Sequence, residues 1–133
     1  GKGKIVCEGD CLTIITYGIG VQWIREYLNN NKDLKGKIEL IDLRTLLPWD
    51  KDLVMLSVAK TNRALILNED SLTGSISGEI SSYIVEEGFD LLDAPILRLG
   101  ALDTPIPFSS NLEKDIYMPI NKIDKTVRKL LDY

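Results

Sequence analysis

Histidine is absent from all 133 residues. That removes the usual general base near neutral pH, the Ser-His and Cys-His nucleophile pairs and the commonest metal ligand, so any catalysis would fall to carboxylates, lysines or tyrosines. Cysteine is scarce: Cys7 and Cys11, in CEGDC, are the only two. Two thiols supply half of a usual four-ligand structural zinc site and no disulfide framework, so they read as reduced, strand-flanking residues of a reducing compartment. Long apolar runs are also missing. No stretch approaches the roughly 20 residues of a membrane span, and no signal-peptide pattern opens the chain. Basic residues form no long run, and 16 of them against 20 acidic ones give a net charge of −4. Capture of nucleic acid or an anionic membrane is therefore disfavoured. What is present is ample apolar material, 44% of residues, enough at this length for one domain with one core. The opening Gly1-Lys2-Gly3-Lys4, without a methionine, reads as the inside of a longer protein.

Apolar runs rich in β-branched residues alternate with stretches of helical period. LTIIT (12–16), IELID (38–42), ALILN (64–68) and PILRL (95–99) are strand candidates, and KIVCE could add an edge strand. Between them, Val21, Ile24, Tyr27 and Leu28 recur at helical spacing; Asp50 can cap a helix carrying Leu53, Val54, Leu56 and Val58; and Ile76, Ile80, Tyr83 and Ile84 mark a third. Gly88 stands where a left-handed helix cap is expected. NNNKDLKGK reads as a turn, GALDTPIPFSS as irregular, and Ile120, Ile123, Val127, Leu130 and Leu131 as the stripe of a last helix. Strand–helix alternation predicts a three-layer α/β/α domain with a parallel sheet, because parallel strands need long crossovers. Residues 1–133 read as one such domain.

Candidate chemistry is thin. Gly18-Ile19-Gly20 sits between a strand and a helix, where backbone N–H groups can meet a phosphate, and Asp42 ends the next strand about 20 residues on. The dinucleotide fingerprint fails at its third glycine, where Trp23 stands, so an eased strand-to-helix turn competes with nucleotide binding. Glu69 and Asp70 end a strand at the ligand-binding edge of such domains, but neighbours on a strand point apart and need not form an acid/base dyad. Glu86, Glu87, Asp90 and Asp93 form an acidic cluster that is either a solvated face or a docking patch for a basic partner. Lys122, Lys125, Arg128 and Lys129 suit the carboxyl end of a structural helix. Trp23 lies off its helix stripe, either packed against another domain or chain or partly covered at the surface, and Trp49, after Pro48 in a loop, could anchor that connection or an interface.

TIITYG, IDLRTLLPWD, LTGSISGEISS, VEEGF, LDAPILRLGALDTPIPF and the terminal LLDY together resemble the carboxy-terminal domain of the β subunit of thiamine-diphosphate-dependent 2-oxoacid dehydrogenases. The resemblance runs from about Lys4 to Tyr133, and LRTLLPWD, LTG, EISS and API are more similar to the branched-chain type than to the pyruvate type. It implies a transketolase C-terminal-like fold with a five-stranded, mostly parallel sheet and one antiparallel strand. It also implies that the chain holds no catalytic, cofactor-binding or metal residue, because thiamine diphosphate and magnesium lie between an alpha subunit, or a fused alpha portion, and the upstream part of the β subunit. The implied partners are those portions, a second β subunit and the basic subunit-binding domain of a dihydrolipoyl acyltransferase, with neither nucleic acid nor membrane among them. The implied compartment is the bacterial cytoplasm or the mitochondrial matrix. The family's docking positions fall on Asp93, in LDAP, and on the terminal Tyr133. The string Asn68-Glu69-Asp70 departs from the family pattern. Two other readings stay open: a stand-alone nucleotide-binding module using Gly18 and Gly20, and the same domain from a transketolase or a deoxyxylulose-phosphate synthase.

Overall fold

The computed structural model describes residues 1–114 and 118–133. Five strands form one sheet in the order β1-β3-β2-β4-β5: β1 (Lys4–Cys7), β2 (Leu12–Thr16), β3 (Ile38–Asp42), β4 (Ala64–Ser71) and β5 (Leu97–Ala101). β1 runs antiparallel to β3 and the remaining pairings are parallel. The crossovers are α1 (Ile19–Asn30), α2 (Lys51–Thr61) and α3 (Ile76–Gly88); a single turn, α4 (Ser110–Leu112), and a final helix, α5 (Ile123–Leu131), follow β5.

Alternation along the strands divides the core. Leu12, Ile14, Leu40, Leu65, Leu67 and Leu99 pack against Ile24 of α1 and Ile123, Val127 and Leu130 of α5. On the other face Ile15, Ile41, Ala64 and Ile66 meet Val54 and Val58 of α2 and Ile80 and Ile84 of α3. Each such leucine, isoleucine or valine contributes about 1.5–3 kcal/mol by leaving water, and both faces of every central strand are covered, as continuous apolar runs require. Trp49 belongs to this core, edge-on to Tyr83 at 5.2 Å between ring centroids. The buried carboxylate of Glu39, on β3, accepts from the Ser57 hydroxyl and the Lys60 ammonium of α2. No helix among the described residues is long and apolar enough to cross a membrane.

Several boundaries differ from the sequence expectation. β5 starts at Leu97 rather than Pro95, since proline has no N–H to give a ladder. β4 continues through the acidic pair to Ser71. Leu56 is 71% exposed, on the solvent side of α2. Ile120 lies on a short 3₁₀ turn, Pro119–Lys122, before α5 rather than within it. Gly88 is not left-handed: its φ is −155°, and the chain tightens directly into a 3₁₀ turn, Phe89–Leu91. A Cβ there would lie 2.6 Å from Met55 Cε and 2.9 Å from Leu91 Cδ1, the ends of side chains that would have to shift to admit it. The left-handed helix end belongs instead to Asn62, φ 57°, after α2.

Candidate functional site

Every crossover helix returns the chain from the carboxyl edge of the parallel strands to their amino edge, so the molecule has two chemically distinct ends. At the carboxyl edge, Tyr17 and Leu46 after β2 and β3, Glu69 and Asp70 of β4, Trp23 of α1 and Ile106, Glu113 and Met118 enclose an open cleft of about 530 Å³. The β4–β5 register is interrupted between Leu67 and Ser71, and both adjacent carboxylates reach the cleft. Burial, then the charges of Asp70 and Glu69, push the Tyr17 phenol above its ordinary range. Asn68, beneath them, is fully buried; its amide donates to the Asp70 carbonyl at 2.6 Å and its Oδ1 has no partner among the described residues.

The glycine turn is also here, and its geometry speaks for packing. Gly18 takes φ 58°, and a Cβ on it would touch Glu69 Oε1 at 3.4 Å. At Gly20 a Cβ would stand 2.1 Å from Thr16 Oγ1, so this glycine lets α1 close onto β2. A phosphate at this helix start would meet the Glu69 carboxylate rather than a cation. Asp42 accepts from the Arg44 N–H at 3.1 Å and thereby shapes its own loop. Cys7 and Cys11 are unbonded thiols, and the Asp10 carboxylate that accepts from Cys11 at 3.0 Å raises the pKa of that thiol.

Asp93 and Tyr133 both lie at the amino edge. The Asp93 N–H donates to the carbonyl of Asn62 at 2.8 Å, and the Asn62 side-chain amide donates to the Leu91 carbonyl at 2.7 Å, which ties the turn before β5 to the end of α2. The Asp93 carboxylate stays exposed above a groove of about 460 Å³ lined by Val85, Phe89, Leu92, Pro95 and Ile96 among others. Tyr133 ends the chain beyond α5, half exposed. Arg128 anchors that helix by donating to Asp124 at 2.9 Å and to Asp33 at 3.0 Å, and holds the Asp33 carboxyl below its usual range. Sequence reasoning missed Phe89, which is 73% exposed. The available signal was an aromatic residue directly after a helix-ending glycine, inside an acidic run.

The family model for the transketolase C-terminal domain matches residues 1–123. This chain belongs to the transketolase C-terminal domain family. Within it, the chain is 37% identical over 133 residues to the pyruvate dehydrogenase E1 component subunit beta of Rickettsia felis, covering 100% of this chain and 41% of that protein. It is equally identical, 37% over 133 residues, to the mitochondrial 2-oxoisovalerate dehydrogenase subunit beta 2 of Arabidopsis thaliana, covering 99% and 36% respectively. With the acetoin:2,6-dichlorophenolindophenol oxidoreductase subunit beta of Bacillus subtilis it shares 39% over 132 residues, covering 98% and 38%. The transketolase C-terminal domain thus spans about two fifths of the curated relatives it matches. A split-gene transketolase, solved as an inactive beta4 tetramer, has the same fold, with a TM-score of 0.80 at 23% identity over 98% of this chain and 41% of that one.

The cofactor implied by the family resemblance does not fit this transketolase C-terminal domain. A diphosphate in the carboxyl-edge cleft would face Glu69, Asp70 and Glu113, and no lysine or arginine is among the described lining residues. Nor do the described residues gather three or more Asp, Glu or Cys in a geometry that could hold a metal ion.

Proposed function

We propose that this chain is the carboxy-terminal portion of a 2-oxoacid dehydrogenase β subunit, and that it serves assembly and docking while the chemistry is done elsewhere. The supporting observation is a division between its two ends. The cleft that an α/β domain normally offers a ligand is acidic, whereas Asp93 is exposed on a hydrogen-bonded turn at the opposite edge. In this reading residues 1–133 are one domain of a longer protein. Thiamine diphosphate and magnesium lie between an alpha subunit, or a fused alpha portion, and the upstream part of the β subunit. The whole enzyme decarboxylates a branched-chain 2-oxoacid or pyruvate and passes the acyl group to a lipoyl arm, in the bacterial cytoplasm or the mitochondrial matrix. A second β subunit and the basic subunit-binding domain of the dihydrolipoyl acyltransferase are its other neighbours. Trp49, within the LRTLLPWD string that is more similar to the branched-chain type, is buried in the core, which fits a substrate choice made outside these 133 residues.

The test is charge reversal. In the full enzyme, Asp93→Lys weakens binding to the acyltransferase subunit-binding domain by tenfold or more in calorimetric titration, since a cation there repels a basic partner. Affinity equal to that of the unaltered enzyme removes this edge from the docking surface.

A further inference from the structure

The docking surface has an apolar centre that charge alone does not explain. Phe89 is 73% exposed and Val85, one helical turn earlier, is 41% exposed. Together with Leu92, Pro95 and Ile96 they line the groove beside Asp93, whose volume of about 460 Å³ suits one or two inserted side chains. Beside it, the segment from Glu86 to Asp93 carries four carboxylates and no lysine or arginine. An aromatic anchor inside a charged rim is the arrangement in which binding energy concentrates at protein interfaces.

We propose that Phe89 is the apolar anchor of this surface and that Asn62 positions it relative to Asp93, so that the partner segment it fits presents an apolar side chain flanked by lysines or arginines. The proposal rests on the docking reading above. Phe89 and Asp93 lie on the two sides of Leu91; the two hydrogen bonds of Asn62, one from its side chain to the Leu91 carbonyl and one from the Asp93 N–H to its own carbonyl, hold the middle and the Asp93 end of that turn, and the Leu92 N–H, donating to the Phe89 carbonyl at 3.2 Å, links Phe89 to them. Asn62 can make both because it takes the left-handed conformation, φ 57°, that ends α2. The rim sets the partner's charge by complementarity: basic residues gain from four nearby carboxylates, Glu86, Glu87, Asp90 and Asp93, all exposed, and an acidic segment is repelled.

Surface plasmon resonance of the full enzyme against the acyltransferase subunit-binding domain, at two ionic strengths, separates the parts. Phe89→Ser raises the dissociation rate about tenfold and leaves the salt dependence intact, because it removes an apolar contact; Asp93→Asn flattens the salt dependence. Asn62→Gly keeps the left-handed backbone and its carbonyl but loses the bond to Leu91. It raises the dissociation rate several-fold, and that effect vanishes in the Phe89→Ser background if Asn62 acts through the anchor. A Phe89→Ser enzyme that dissociates at the unaltered rate, while Asp93→Asn changes the salt dependence, overturns the anchor and leaves docking standing. Unaltered binding by both overturns the docking reading itself. Equal effects of Asn62→Gly with and without Phe89 overturn its positioning role.

Discussion

Asp50 is 6% exposed, and its carboxylate is held by the backbone at both ends of a long chain separation. The N–H of Gly3 donates to it at 3.0 Å and that of Leu53 at 3.3 Å, while the Lys2 ammonium stands 3.8 Å away. The bond from Gly3 is the largest influence lowering its pKa below the ordinary carboxylate value. A depressed folded pKa means stability that is present above the unfolded value near 3.9 and is lost as pH falls through the folded one. Asp50→Ala, which removes an N-cap, is therefore expected to cost about 1–2 kcal/mol in urea unfolding at neutral pH. The difference between the unaltered chain and Asp50→Asn shrinks below about pH 4, where the unfolded carboxyl is protonated. A difference constant down to pH 2 would show that the charge contributes nothing. Lys2 is 82% exposed and its ion pair adds little, so Lys2→Ala serves as the near-neutral control.

At the scale of elements, β2 and α1 meet at Gly20 without room for a side chain. A methyl group at Gly20 would stand 2.1 Å from Thr16 Oγ1, and that hydroxyl is itself buried without a partner among the described residues. Gly20→Ala should destabilise the chain by about 1–3 kcal/mol, the usual cost of overpacking. Thr16→Ala should recover part of that loss, because it removes both the colliding atom and an unsatisfied donor; a fully additive double variant, followed by urea midpoint, would place the strain elsewhere. This contact also shows what the sequence could reveal. The turn at Gly18-Ile19-Gly20 was legible as a strand-to-helix joint, but a glycine demanded by a neighbouring side chain looks the same in sequence as one demanded by a phosphate. Strands β2, β3 and β4 were legible because each is covered on both faces, which leaves a continuous apolar run. Gly88 misled because a glycine at a helix end does not report its own φ, which here is −155° and outside the left-handed region. Leu56 and Phe89 were opaque because spacing reports a face and cannot say whether that face is covered. Asp93 was reached through family resemblance, and the structure adds the turn that holds it.

For the whole molecule, the arrangement of charge separates what the two ends can do. The carboxyl edge, where an open parallel sheet offers helix starts and loop ends to a ligand, carries Glu69, Asp70 and Glu113 around its cleft. Two of them raise the pKa of Tyr17, so their field is felt within the site and an anion entering it must overcome the same field. A diphosphate bears at least two negative charges, and at the roughly 4 Å separations of a binding site each like-charge pair opposes binding by about 1–4 kcal/mol across the dielectric range of a protein surface. Two or three such pairs oppose binding by about 2–12 kcal/mol together, which at the upper end matches the whole of a micromolar affinity, worth about 8 kcal/mol. Isothermal titration of this 133-residue chain with thiamine diphosphate and magnesium is accordingly expected to give no saturable heat up to millimolar cofactor, and no rise in melting temperature. The control is Glu69→Gln/Asp70→Asn: if repulsion is the obstacle, neutralising the cleft permits weak binding of inorganic diphosphate that added salt diminishes. Saturable micromolar binding of the cofactor by the unaltered chain would mean that the acidic cleft is not the deciding feature and that the division between a docking end and a distant chemistry is wrong.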